Sequence, residues 1–578
     1  MFMNYMVPIP ESPGKLVKKK RNGQFFIEYE YERSYDPIKQ YTYPKRASIG
    51  RVDPNDPTMM TPNENFLKYF PDADIPKEYS RDSRSPYLNI GTYVVLHKLI
   101  YEYRFQDMLK NYMEENDIGL LLDIACYSII DENNAGQYYP EYAYTHPLFT
   151  PEMRMYTDSK VSDLLQDMKP ETIVGFLNLW NSSRNKKQRV YLSYDSTNKN
   201  SEAGDIDLVE YGKPKVDEGQ PVFNYTIACD VSNKEPLFYE LYPGSINDIS
   251  QLTCMIDKAK GYGYRNLGFI LDRGYFSRKN LAYMEKEGYS FLIMVKGMKD
   301  FIRGIILENL GKFETSRARY VDQYDVYGMT VVQPLFEGET KDRYIHLFYS
   351  DGRAYGEKCD IKQKIRRLQV YLDQCVGKEC SFGPEINKYF YLHYEKDGKT
   401  LKLAEENTRA VEQELSLAGY FAIVSSDKLT AREAIELYKS RDASEKLFRS
   451  DKSYLGNKSM RVASTEALNA KVFIQFIALI LRSRIYNDLK EKCERMLKRP
   501  NYMTVPAAIK ELEKIVMIRQ LDGKYRLDHA VTAKQKVILD AFGLNEGTVK
   551  YREREIRKTL IEAEEKQEKK DGKTETKQ

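Results

Sequence analysis

RVYLSYDSTNK, residues 189–199, reads as a β-strand with an acid near its far end. Val190, Leu192 and Tyr194 alternate with Tyr191, Ser193 and Asp195, the period of two that a pleated strand imposes. Two more strand patterns follow, PVFNYTIACD (221–230) and PLFYELYPG (236–244), joined by a turn around Ser232–Pro236. A helical pattern over 246–263 precedes NLGFILDRGYF (266–276). There Leu267 to Leu271 form a short apolar strand that delivers Asp272 at its end. A helix over 278–287 and the strand SFLIMVK (290–296) complete the run.

Three antiparallel strands, a helix, a strand and a later helix make an RNase H-like order. The predicted fold is α/β and multidomain: an RNase H-like core interrupted by a β-rich insertion, with helical N- and C-terminal regions. Residues 1–90 read as a β-containing arm or module, with QFFIEYEYERSY as a strand after the turn at Arg21–Gly23. Residues 91–185 read as a helical region, and their position suggests DNA recognition. The core's first part spans 186–296 and the β-rich insertion 297–416. The core's second part spans 417–490, and a charged helical region with a disordered tail spans 491–578.

YKSRDASEKLFRSDK, residues 438–452, is expected to be one helix. Tyr438, Arg441, Glu445 and Lys452 stand three, four and seven residues apart, so on a single helix they share an arc of roughly 60°. That stripe would carry an aromatic ring, a carboxylate and two cations. With Asp195 on a central strand and Asp272 on its neighbour, Glu445 would complete a cluster of three acids. Three close carboxylates repel one another and raise each other's pKa. Two Mg²⁺ ions about 3.5–4 Å apart would relieve that repulsion, and hard oxygen ligands suit Mg²⁺ together with phosphate oxygens. Arg441 would grip a phosphate as a fork and Lys452 as a point charge. Tyr438 would touch DNA, and Arg273, beside Asp272, is a further phosphate contact. Singly, each residue has an ordinary reading: an Asp at a strand end often caps a turn, and Glu445 with Arg441 at i−4 makes a common surface pair. The joint arrangement carries the argument.

Composition narrows the field. With 578 residues, 42% hydrophobic, the chain can bury more than one core. Its 30% charged residues leave a net charge of only +4, so any nucleic-acid surface must come from local clusters such as Lys18–Arg21 or Lys490–Arg499. Seven scattered cysteines form no CxxC pair; Cys375 and Cys380 are closest. This argues against zinc or a disulfide framework and fits a reducing cytoplasm. No secretory leader is apparent at MFMNYMVPIP, and the apolar runs are too short to span a bilayer. No GxxxxGK[ST] loop supports a nucleotide cofactor, and the five histidines show no metal-binding spacing.

At these residues the sequence resembles the DDE transposases of bacterial insertion sequences that carry the signature Y-x2-R-x3-E-x6-K. Tyr438, Arg441, Glu445 and Lys452 match it without a gap. LSYDSTN around Asp195 resembles the first-Asp strand, and FILDRGYFS around Asp272 the second. YPGSINDIS (242–250) resembles the turn between them, although Ser245 stands where many members carry Asn. The resemblance implies that Asp195, Asp272 and Glu445 are catalytic metal ligands for two Mg²⁺ ions, with Mn²⁺ able to substitute. It implies binding of terminal inverted repeats, strand cleavage, and joining of the freed 3′-OH to target DNA. It also implies a homodimer or larger synaptic complex on DNA, in the bacterial cytoplasm at the nucleoid. Relatives often open a DNA hairpin with help from a tryptophan in the insert. Here the only tryptophan is Trp180, before the first strand, which leaves Tyr320 or Tyr324 as substitutes. Two other readings stay open: a nuclease or resolvase of the same fold without strand transfer, and a non-catalytic DNA-binding protein derived from a transposase.

Overall fold

The computed structural model describes the chain except residues 1–5, 13–14, 22, 38, 55, 72, 74–83, 185–188, 202–205, 212–220, 247, 296–299, 337, 443–445, 447–449, 457–459, 498–499 and 576–578. The side chains of 194, 195, 248–250, 300, 301, 450 and 567–575 are also outside the description. The fold is mixed α/β, in two compact units. One comprises Met1–Leu99, Gln137–Asp158 and Asp488–Gln578; the other comprises Ile100–Gly136 and Ser159–Asn487.

The second unit is built on a nine-stranded sheet. Its strands are β1 (Val190–Asn200), β2 (Val222–Asp230), β3 (Glu235–Pro243), β4 (Leu267–Leu271), β5 (Ser290–Met294), β6 (Tyr320–Val321), β7 (Val326–Pro334), β8 (Asp342–Tyr349) and β9 (Tyr420–Ser425). The spatial order is β6-β7-β8-β9-β5-β4-β1-β2-β3. β1, β2 and β3 are antiparallel neighbours, while β4 runs parallel to β1 and β5 parallel to β4. β4 and all but the last residue of β5 are buried, as their unbroken apolar runs require for interior parallel strands. β9 pairs antiparallel with both β5 and β8, so β6, β7 and β8, encoded between Met294 and Tyr420, extend this same sheet.

Helices cover both faces. Asp248–Gly261 and Arg278–Lys286 contribute Leu252, Met255, Ile256, Leu281 and Met284 to one large core with Val190, Leu192, Phe269 and Leu271. On the opposite face, α1 (Ala431–Lys439) packs Ala434, Ile435 and Tyr438 against Ile270, Leu292 and Ile423. Thr430 opens α1 with a reciprocal capping box to Glu433. A long helix, Asp351–Cys375, the hairpin Phe390–Tyr394/Leu401–Glu406 and the helix Thr408–Ser416 surround a small core of their own, including Leu372, Phe390, Leu401 and Val411.

The first unit holds a five-stranded antiparallel sheet from the N-terminal residues, cored by Val7, Ile27, Ile49, Val52, Met60 and Phe66. It also holds a three-stranded sheet joining Tyr87–Asn89 to Val516–Arg519 and Tyr525–Leu527. A helix runs over Glu546–Glu575. In its first half Val549, Ile556 and Leu560 are buried at spacings of seven and four, and Lys550–Glu546 and Arg557–Glu553 pair at i,i+4. Among the described residues, no helix is long and apolar enough to cross a membrane.

Candidate active site

The register of two parallel strands places the first two acids. Leu271, the last residue of β4, lies opposite Tyr194 of β1, so Asp272 and Asp195 each directly follow one of two paired residues. Asp195 is held from its other side by pairing with Ile227 of β2. Its side chain lies outside the described residues.

Asp272 leaves the sheet where the buried run Leu267–Leu271 ends. It caps a single 3-10 turn, Arg273–Tyr275, with its Oδ1 accepting the Arg273 N–H at 2.7 Å. The ordinary turn-capping role is therefore real, and the carboxylate is still 39% exposed. Arg441 Nη1 stands 3.7 Å from the same Oδ1, and the Arg441 side chain is only 12% exposed. An arginine 169 positions later in the chain thus reaches the second acid. Arg273 is exposed and lines a cleft of about 380 Å³ beside β5 and β9, together with the cations Arg303, Arg353 and Lys388. Arg353 is paired with Glu357 at 2.6 Å and Lys388 with Glu414 at 2.6 Å.

The 438–452 stretch departs from the single helix that its spacing predicts. α1 ends at Lys439 with Ser440 as its C-cap. The Ser440 hydroxyl donates back to the Leu437 carbonyl, and the Arg441 N–H closes a tight turn on the Tyr438 carbonyl at 3.2 Å. The chain then makes a π-helical turn over Ser450–Tyr454. Tyr438, expected to contact DNA, is 4% exposed and belongs to the core beneath β4 and β5. Its ring instead lies under the Arg441 guanidinium, 5.4 Å away. Lys452 is half-buried in the π-turn. Glu445 lies outside the described residues. Among the described residues, no cluster of three acids, histidines or cysteines is assembled for a metal.

A model of the transposase DDE domain matches residues 190–481, just over half of the chain. The chain belongs to the DDE transposase family. It is thus a nucleotidyl-transfer enzyme by family, and DDE transposases generally use divalent metal ions. No curated protein matches this transposase. Among solved structures, it is similar to a piggyBac transposase in a synaptic complex with hairpin DNA, determined by cryo-EM, at 11% identity and a TM-score of 0.29. That match covers 62% of this chain and 59% of the other, a likeness too slight to bear on fold or function.

The transposase holds one pair that the sequence reading passed over. Lys199 Nζ and Asp451 Oδ2 meet at 2.7 Å with both side chains fully buried. Lys199 also lies 4.3 Å from the centre of the Tyr225 ring. Burial lowers the Lys199 pKa against the opposing pull of Asp451. The only sequence signal was a lysine inside a strand otherwise fit for burial. Trp180 is likewise structural: it is fully buried and its indole donates to the Pro236 carbonyl. Tyr320 bonds to Asp325 at the sheet's edge strand, and Tyr324 packs against the core that holds α1.

Proposed function

We propose that this transposase binds the inverted-repeat ends of an insertion sequence, cuts a DNA strand at each end and joins the freed 3′-OH to target DNA. The core is taken to be RNase H-like, which the β3-β2-β1-β4-β5 order and its strand directions support. The observation that carries the reading is the convergence at the end of β4: Asp272 follows Leu271, whose strand partner Tyr194 precedes Asp195, and Arg441 stands 3.7 Å from Asp272. All-oxygen donors on adjacent strands, Asp195 within β1 and Asp272 just past the end of β4 with an accessible carboxylate, fit a hard divalent cation. Asp195, Asp272 and Glu445 would hold two Mg²⁺ ions, or Mn²⁺ in their place. Bound there, the metal would acidify the attacking hydroxyl and stabilise the leaving 3′-oxygen.

The protein's own groups orient the phosphodiester. Arg441, backed by the Tyr438 ring and Asp272, would offer N–H donors to a phosphate oxygen, and Arg273 and Lys452 would each add a further phosphate contact. In the cut, water attacks phosphorus, the bond to the 3′-oxygen breaks, and that oxygen leaves protonated as the 3′-OH. In the joining step the same 3′-OH attacks a target phosphodiester and displaces another 3′-oxygen. The working form is a dimer or larger assembly on DNA, in the cytoplasm of a bacterial host.

The test is a strand-transfer assay with element ends, target DNA and Mg²⁺ or Mn²⁺. Wild type should yield joined product, and chelation should remove it. Asp195→Ala, Asp272→Ala and Glu445→Ala should each abolish cleavage and retain end binding. Cleavage without joined product would favour a nuclease or resolvase. End binding without cleavage by wild type would favour a non-catalytic binder.

A further inference from the structure

We infer that the buried Lys199–Asp451 ion pair sets the register of the chain segment that begins at Ser450 and carries Lys452 against the strand carrying Asp195, so that both are positioning residues for catalysis. This rests on the transposase reading above. Lys199 lies four residues beyond Asp195 on β1, and Asp451 lies six beyond Glu445 and immediately before Lys452. The two side chains meet at 2.7 Å with no solvent exposure. Taking two charges out of water costs more than their attraction returns in many proteins, and a well-packed apolar pair would serve stability as well or better. A fully buried pair is best accounted for by specificity, its best-attested use being to fix a register.

The local geometry identifies which register. Other contacts already tether the 450–461 segment. The Met460 N–H donates to the Asn200 carbonyl at 3.0 Å, Asn134 Nδ2 donates to the Gly456 carbonyl at 2.9 Å, and the Arg482 guanidinium lies 4.5 Å from the centre of the Tyr454 ring. These contacts tolerate a slip of one residue far better than the ion pair does. A slip one way would set Ser450 against Lys199 and leave a buried ammonium uncompensated. A slip the other way would press Lys452 against Lys199, two like charges in a site that also feels Lys471 and, through it, Arg461. The π-helical turn Ser450–Tyr454 phases Asp451 fully inward while Lys452 keeps partial access to solvent. Wide turns of this kind occur often at functional sites.

The test compares wild type with Lys199→Met/Asp451→Leu, which removes both charges, and with Asp451→Asn. Three quantities are read: melting temperature, Mn²⁺ affinity of the free protein by electron paramagnetic resonance, and the kcat and KM of end cleavage. The double variant should melt within a few degrees of wild type and keep its KM for end DNA. Its Mn²⁺ affinity and kcat should each fall by about 10–100-fold, the range for losing a group that orients metal ligands. Asp451→Asn, assayed well below its melting temperature, should show the same two losses. A folded double variant with wild-type Mn²⁺ affinity and kcat overturns the proposal, as does loss of folding in both variants, which would make the pair purely structural. A wild-type protein that neither binds Mn²⁺ nor cuts would overturn the nuclease reading itself, a result separable from either of these.

Discussion

Replacing Arg441 by alanine separates a catalytic role from a structural one, because the two roles move different readouts. Its Nη1 lies 3.7 Å from Asp272 Oδ1. Two unit charges at that distance attract by about 1 kcal/mol in a water-like medium and about 4.5 kcal/mol at an effective dielectric constant of 20. Asp272 is 39% exposed, so solvent screening pulls the value toward the lower bound. The entropy of ordering a long side chain reduces it further, and exposed pairs of this kind contribute about 0–1 kcal/mol. Stacking on Tyr438 at 5.4 Å, with both groups largely buried, adds about 0.5–2 kcal/mol. These two contacts together make Arg441→Ala lower the melting temperature by about 1–4 °C in a unit of this size. A charge-assisted hydrogen bond to a phosphate is worth about 1.5–3 kcal/mol, so cleavage of a pre-nicked end duplex should fall by a factor of about 10 to 150. Arg441→Lys should recover part of the rate, since it restores charge without the fork. The paired assays are differential scanning fluorimetry and single-turnover cleavage under Mg²⁺. An Arg441→Ala protein that cleaves at the wild-type rate refutes the phosphate-gripping role. One that melts more than 10 °C early shows that the residue is a structural strut instead.

Lys452→Ala should weaken end binding uniformly across DNA sequences and reduce the slope of log affinity against log salt by about one, measured by fluorescence anisotropy from 50 to 300 mM salt. His346 is fully buried between Thr330 and Ser425, and burial holds its pKa down at about 4. The unfolded chain takes up this proton near pH 6.5, so the contribution is fully present above that pH and is lost as pH falls toward 4, to a total of about 3 kcal/mol. Denaturant midpoints should fall across that window, and His346→Gln should flatten the fall. His97, whose pKa is also lowered to about 4 by burial, keeps some of the slope in the variant. Gly419 has φ +91°, and a Cβ there would meet the Ala354 Cβ at 2.5 Å and the Ser350 carbonyl oxygen at 2.9 Å. Gly419→Ala should cost about 2 kcal/mol or more and lower the melting temperature, because neither contact is the end of a flexible side chain.

The sheet was largely legible because its strands obey simple periodic rules. Val190–Asn200, Val222–Asp230, Glu235–Pro243 and Leu267–Leu271 stand within a residue or two of their sequence patterns. Apolar runs bounded by turn formers leave few alternatives to a buried strand. The pairing of β9 with β5 and β8 was not legible, since nothing local says which edge a later strand will join. The end of α1 was missed for a different reason. Steps of three, four and seven suit a helix, but the hydroxyl of Ser440 competes for the Leu437 carbonyl and the helix stops. The burial of Tyr438 could have been read: Ala431, Ala434, Ile435 and Tyr438 fall at steps of three and four, an apolar helix face. The Lys199–Asp451 pair could not, because 252 residues separate two charges that no periodicity links.

Burial also sorts the acids near the site, and it does so independently of any motif. Asp451 and Asp272 are chemically identical side chains, each close to a cation. Asp451 is fully buried and committed to Lys199 at 2.7 Å, so a metal or phosphate would have to break a desolvated pair to reach it. Asp272 keeps 39% of its surface open and stands 3.7 Å from a cation whose attraction is screened, so a divalent ion can displace or join that contact at little cost. The requirement on a catalytic carboxylate is thus opposite to that on a positioning one. The first must be rigidly carried yet held only by contacts that a divalent ion can join or displace, and the second must be neutralised where it sits. Asp272 meets the first condition through the five buried residues of β4 that precede it. Asp451 meets the second through Lys199. A single substitution that exchanged these conditions, by opening Asp451 to solvent or by burying Asp272, would be expected to damage the site without removing either carboxylate.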